Sequence, residues 1–189
     1  MANEHIPVTG GCLCGAVRYE SWAPPTEGYY CHCTMCRKHY GGLFAAAVRI
    51  PGAALKFTKN QPKYYRSSAW AKRGFCSDCG SPVAFFFEGD PDAWISVGSL
   101  DHPEDWPMTK HASWGQSMHV FIDTKIPWYE ISDGPPQRES DVLSEAARAY
   151  VARSSQYRSL DAIFADNRAY LSSAPVSASG RVYMAASAL

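Results

Sequence analysis

The chain has 189 residues, 46% of them hydrophobic, and its 18 basic and 18 acidic side chains balance to zero formal net charge. That length suits one domain of ordinary size with an extension. Zero net charge leaves no broad electrostatic handle for nucleic acid or a membrane surface, so neither is expected as a partner.

The N-terminus, MANEHIPVTGG, has no basic patch followed by an apolar run and predicts no secretory signal. The longest apolar runs, LFAAAV at 43–48 and VAFFF at 83–87, fall far short of the roughly 20 residues of a membrane helix. A soluble, cytoplasmic protein is the expectation. Reducing cytosol disfavours structural disulfides, so the seven cysteines point to metal binding.

Along the chain, short β-like segments recur: AVRYE at 16–20, AAAVRI at 45–50, ALKFT at 54–58, PVAFFF at 82–87, WISVGSL at 94–100 and HVFID at 119–123. PPTEG, PGA, KNQP, EGDPD and DHPEDWP punctuate them. Short strands, frequent turns and no long 3.6-period stripe predict a mainly β domain over residues 10–133. After SDGPPQ at 132–137 the composition changes: cysteine and lysine vanish, and alanine and serine become frequent. Two short amphipathic helices are expected there. One is capped by Ser140 and striped by Leu143, Ala147, Tyr150 and Val151; the other is capped by Ser159 and striped by Leu160, Ile163, Phe164, Tyr170 and Leu171. Residues 134–189 are thus read as a helical C-terminal extension with a loose tail, its stripes packing on the β domain or across a homodimer.

The cysteines fall in clusters with chelating intervals. Cys76 and Cys79, followed by Gly80, have the form of a zinc knuckle, in which glycine permits positive φ where N–H groups turn toward sulfur. Cys12 and Cys14 are likewise followed by Gly15, and a C-x-C pair in a strand would point both thiols to one face. The two outer pairs make four thiolates and a closed, structural tetrahedron. Cys31, Cys33 and Cys36 form a second site from one short loop, one ligand short of closure, as in catalytic zinc sites.

Other readings stand beside this one. Cysteine is often a small buried hydrophobe, and the C-x2-C of Cys76 and Cys79 also suits redox chemistry. His39, three residues past Cys36, is placed to close a Cys3His site. His32 would alternate away from its cysteine neighbours. Arg37 and Lys38 read as a substrate-carboxylate site or as a solvated pair. His119 reads as a general base or a core histidine, and Trp128 as core packing. No acid–base residue is assigned.

GCLCGAVRYE, CHCTMCRKHYGG, FCSDCGSPVAF, VGSLDHPEDW and HVFIDTKIPWYEI, in that order over about residues 10–133, together resemble the glutathione-dependent formaldehyde-activating enzyme family, which also contains centromere protein V. The resemblance implies a zinc-stapled β-tent fold shared with the zinc-containing Rab-associated chaperones. It implies a structural zinc on Cys12, Cys14, Cys76 and Cys79 and a catalytic zinc on Cys31, Cys33 and Cys36, two ions per chain. It further implies a carbon–sulfur lyase of the S-hydroxymethyl-glutathione synthase type, with a small thiol such as glutathione as substrate. The alternative is a non-enzymatic zinc-stapled β module that binds a protein partner, marked by a coordinatively full second metal.

Overall fold

A computed structural model of the chain describes residues 7–68, 71–109 and 115–139, so the two helices expected after Ser140 lie outside the described residues. The strands in chain order are β1 (Val8–Gly11), β2 (Arg18–Ser21), β3 (Glu27–Cys31), β4 (Ala45–Ile50), β5 (Leu55–Lys59), β6 (Lys63–Ser68), β7 (Ala71–Phe75), β8 (Pro82–Phe87), β9 (Ala93–Ser96), β10 (Gln116–Val120) and β11 (Gln137–Arg138). One helix, α1 (Thr34–Tyr40), follows β3. Among the described residues the architecture is mainly β, as expected, and no helix is long and apolar enough to cross a membrane.

Three strands form a small antiparallel sheet in the order β1-β2-β5, and the other eight form a large sheet in the order β11-β10-β3-β4-β9-β8-β7-β6. Pairing in the large sheet is antiparallel except where β10 runs parallel to β3 and β11. The expected strands at 45–50 and 82–87 match β4 and β8 residue for residue. The 94–100 segment leaves the sheet after Ser96 and turns through a short 3-10 helix at Val97–Ser99. The 119–123 segment starts earlier, at Gln116, and ends at Val120, because Phe121 sits at φ 60 and breaks the strand.

The centre of the large sheet is covered on both faces, so AAAVRI is apolar on both sides except at Arg49, which pairs with Glu27, Asp90 and Asp92. Toward the small sheet, Val48, Ile50, Ala84, Phe86 and Ile95 pack with Val8, Val17, Tyr19 and Leu100. Burial of each large apolar side chain contributes roughly 1.5–3 kcal/mol. Tyr19, fully enclosed there, satisfies its hydroxyl on Ser99 Oγ at 2.9 Å. On the opposite face Ala47, Ala71, Phe85 and Trp94 pack together with Tyr29 at their margin. Beyond them Cys31 and Ala45 lie in one cluster with Cys36 of α1. Small side chains at 45 and 47 leave the room that the helix and the two tyrosines, Tyr29 and Tyr40, occupy. Trp128, expected in the core, is instead 71% exposed, since it sits with the exposed Pro127 in a turn rather than in a strand.

Candidate metal centres

The outer pairs meet at the edge between the two sheets. Cys12 and Cys14 sit in the turn after β1, not in a strand as the C-x-C spacing suggested, and Cys76 and Cys79 sit in the turn joining β7 to β8. Each turn closes alike: Gly15 N–H donates to Cys12 O at 3.0 Å and Gly80 N–H to Cys76 O at 2.9 Å. Both glycines take the expected positive φ, 72° and 75°, a conformation a side chain would strain. Further N–H and O–H donors point at sulfur. Val17 N–H reaches Cys12 Sγ at 3.2 Å, and Ser81 Oγ lies 3.2 Å from Cys79 Sγ. The bonds from Ser81 hold the Cys79 thiol down, at about 6.

All four outer sulfurs lie within 4.8 Å of one another. The Cys12–Cys14 and Cys14–Cys76 separations are 3.5 and 3.8 Å. A tetrahedron with Zn–S bonds of about 2.3 Å has edges of about 3.8 Å. Four soft donors at that spacing, with N–H groups already turned to sulfur, fit zinc.

Cys31, Cys33 and Cys36 come together on the far face of the large sheet, their sulfurs again within 4.8 Å of one another. They do not come from one loop, as the spacing suggested. Cys31 ends β3, Cys33 is the N-cap of α1, and Cys36 lies in the first turn of that helix. One helical turn brings Cys36 back beneath Cys33, so that Cys36 N–H donates to Cys33 Sγ at 3.4 Å. All three are buried. Hydrogen bonds from Cys31 and Cys33, followed by the Arg73 guanidinium, hold Cys36 well below the range of a free thiol, whereas burial pushes Cys31 and Cys33 up. Three buried sulfurs at this spacing again make a donor set that fits a soft divalent ion.

Among the described residues, no fourth His, Cys, Asp or Glu donor joins this cluster, and His39 is outside it. His39 stays in the last turn of α1, its Nε2 buried without a partner. Burial, then Arg73, holds its pKa down, at about 4. The chain does not curl back after Cys36, because α1 runs on to Tyr40 and only then caps on Gly41 at φ 65.

His32 and His119 have a joint role that the sequence did not expose. Both are fully buried, and His32 Nε2 lies 2.8 Å from His119 Nδ1 while His119 Nε2 lies 2.9 Å from Asp133 Oδ1. A carboxylate only accepts, so His119 Nε2 carries the proton toward Asp133. With both rings neutral, His119 Nδ1 accepts from His32 Nε2–H. Burial, then the neighbouring His119 ring, holds the pKa of His32 down to about 4. The His32 peptide is clamped too: its N–H donates to Val120 O at 3.0 Å, and its carbonyl accepts from Arg37 Nε at 3.2 Å. Arg37 also reaches Thr34 Oγ1 and Thr124 O. It is an anchor of the strand-to-helix turn, neither a solvated pair with Lys38 nor a carboxylate receptor. Alternation alone sent His32 away from the cysteines; its partner is 87 residues distant, beyond any local signal.

Residues 7–123 match the family model for the glutathione-dependent formaldehyde-activating enzyme. A Schizosaccharomyces pombe protein named "Uncharacterized lyase" is 29% identical over 94 residues, 47% of this chain and 68% of that protein. A Halomonas elongata protein named "Putative glutathione-dependent formaldehyde-activating enzyme" is 29% identical over 147 residues, 70% of this chain and 83% of that protein. The crystal structure of a Rhodobacter sphaeroides protein aligns with a TM-score of 0.39 at 26% identity, covering 49% of this chain and 87% of that one.

Proposed function

Because the chain belongs to the glutathione-dependent formaldehyde-activating enzyme family, we propose that it is a zinc-dependent carbon–sulfur lyase acting on a small thiol–aldehyde adduct of the glutathione–formaldehyde type. On this reading the catalytic β domain, expected at residues 10–133, runs from β1 through β11, Val8 to Arg138, and the residues beyond it are an extension outside the chemistry. Cys12, Cys14, Cys76 and Cys79 hold a structural ion, and Cys31, Cys33 and Cys36 hold a catalytic one. None of the seven cysteines is paired in a disulfide, the state that a reducing cytoplasm maintains.

The observation that carries the proposal is the contrast between the two clusters, four sulfurs in the outer one and three in the buried one, with no further donor among the described residues. Zinc bound to the three sulfurs would supply a Lewis acid that stabilises a substrate sulfur as thiolate at neutral pH. The chain's own residues set the geometry. The clamp on the His32 peptide fixes the distance between Cys31 and Cys33, and α1 places Cys36. Tyr40, hydrogen-bonded to Ser96 Oγ at 2.8 Å, packs beside the cluster and keeps water from that side. In the lyase direction the S–C bond of the adduct breaks with its electron pair going to sulfur. The adduct hydroxyl loses its proton to solvent and the carbonyl forms. Synthesis is the reverse, thiolate attacking the aldehyde carbon and the oxygen taking up a proton.

The test combines elemental analysis with turnover. Full-length protein purified without chelator should carry close to two zinc ions and should accelerate exchange between glutathione plus formaldehyde and their adduct. Cys33→Ser should lose one ion and the turnover. Trp22 and Trp128, each 71% exposed, favour the rival reading as a partner-binding module. Two retained ions with no turnover of any thiol–aldehyde pair would decide for that reading.

A further inference from the structure

Arg73 is a charged residue in the interior: it is 2% exposed. Its position follows from strand register. Arg73 on β7 is opposite Phe85 on β8, and Phe85 is opposite Trp94 on β9, so all three project from the face of the large sheet that carries the three-cysteine cluster. The guanidinium lies over the Phe85 ring at 4.7 Å. Its Nε donates to Ser67 Oγ at 3.0 Å, and both terminal nitrogens aim at Cys36 Sγ, each at 3.6 Å. Ser67 is held in turn by donating to Ala71 O at 3.4 Å. The fork is therefore oriented from behind by a hydroxyl and from one side by an aromatic ring.

A guanidinium remains protonated at any pH the protein meets. Burying one is costly unless an anion faces it. What Arg73 faces is a sulfur of the site proposed to bind zinc, and the charge balance gives that contact a purpose. Three thiolates and a divalent ion leave a formal charge of about −1. A fourth, neutral ligand keeps it there, whereas an incoming thiolate takes it to about −2 in a buried setting. The guanidinium brings those totals to about zero and about −1.

Resting on the open-site reading above, we propose that Arg73 is a specificity-determining positioning residue, letting the three-cysteine centre accept an anionic sulfur as its fourth ligand in preference to a neutral one. It acts through Cys36 and does not touch substrate. Its paired N–H donors withdraw electron density from the Cys36 sulfur, and its charge offsets the thiolate that arrives.

The experiment uses full-length protein with cobalt in both sites, titrated separately with 2-mercaptoethanol and with imidazole. The outer site, with four cysteines, keeps its absorption throughout and reports that the fold is intact. For Arg73→Met, which preserves the apolar stem over Phe85, thiolate affinity should fall by on the order of 10²-fold, the effect of one charge acting over about 6 Å at an effective dielectric near 20. Imidazole affinity should change by less than about 3-fold, since no charge arrives with it. The sulfur-to-cobalt charge-transfer band should move to longer wavelength as Cys36 loses its N–H donors. Arg73→Lys should restore most of the thiolate preference, and Ser67→Ala, which frees the fork without removing the charge, should weaken thiolate binding only a few-fold. Those two variants carry the test if Arg73→Met does not fold. Equal loss of thiolate and imidazole affinity, or no loss of either, overturns the role of Arg73 while leaving the open site standing. A parent protein whose spectrum ignores thiols overturns both.

Discussion

Replacing Cys76 by serine should unlock the two sheets from each other. Cys76 is 1% exposed and Cys12 is 6% exposed, and both belong to the same packed cluster as Val8, Val17, Val83 and Leu100. The turns that carry the four outer sulfurs come from opposite partners: one follows β1 of the small sheet, and the other joins β7 to β8 of the large sheet. A metal held there is a cross-link between layers. Structural zinc contributes on the order of 10 kcal/mol of apparent folding free energy, comparable to the whole stability of a domain, about 5–15 kcal/mol. Cys76→Ser conserves size and removes one of four thiolates. Even a third of the metal contribution, about 3 kcal/mol, lowers the thermal midpoint by roughly 10 °C in a domain of this size. The assay is thermal unfolding followed by circular dichroism, with zinc content measured on the same sample. Chelator added to the parent protein should reproduce the loss, while Cys33→Ser should lose its ion with a much smaller drop in midpoint. A Cys76→Ser protein that keeps the parent's midpoint would refute the argument that this site staples the fold.

His39→Ala should leave zinc content at the parent's level, because the ring lies outside the sulfur cluster; loss of one ion on elemental analysis would make His39 a ligand. His119→Ala removes the bridge between His32 and Asp133 and leaves a buried ring nitrogen unsatisfied. It should cost about 1–3 kcal/mol in denaturant unfolding and should speed release of the inner ion to a chromogenic chelator more than that of the outer ion. A chain ending after residue 139 should keep both ions. The cut falls beyond Arg138 because Gln137 and Arg138 form β11 and pair with His119 and Val120. Elemental analysis showing fewer ions in the shortened chain would tie the extension to the sites.

What could be read from the sequence was whatever the chain encodes locally. The knuckle glycines at 15 and 80 announced their positive φ because two cysteines stood before each. The strands AAAVRI and PVAFFF stood out because they are buried on both faces and nearly free of charge. β7 stayed hidden for the opposite reason. AKRGF carries Lys72, Arg73 and a glycine, a composition that argues against a buried strand. Its charges are accommodated by tertiary contacts: Lys72 over the rings of Tyr64 and Phe86, and Arg73 over Phe85. Helix α1 was obscured because seven residues show barely two turns of period, and its cap is a cysteine that also reads as a metal ligand. The partnership of His32, His119 and Asp133 needed the parallel pairing of β10 with β3, a non-local register that periodicity cannot supply.

On the proposed reading, the same two-sided sheet gives the two sulfur clusters their different tasks. The outer sulfurs lie at the sheet-to-sheet edge, where Cys14 is exposed and Cys79 half-buried, so four ligands can close around an ion without displacing the core. The three inner sulfurs are buried on the other face. A fourth thiolate from the chain would there add a second buried negative charge beside Arg73. Buried charge of that kind is costly unless it is compensated. A chain that supplies three sulfurs and one guanidinium leaves the fourth position to a ligand that arrives with its own binding energy. On this argument the short count of cysteines at 31, 33 and 36 and the charged residue inside β7 are one design feature. Neutralising Arg73 should therefore impair thiolate entry before it impairs metal retention.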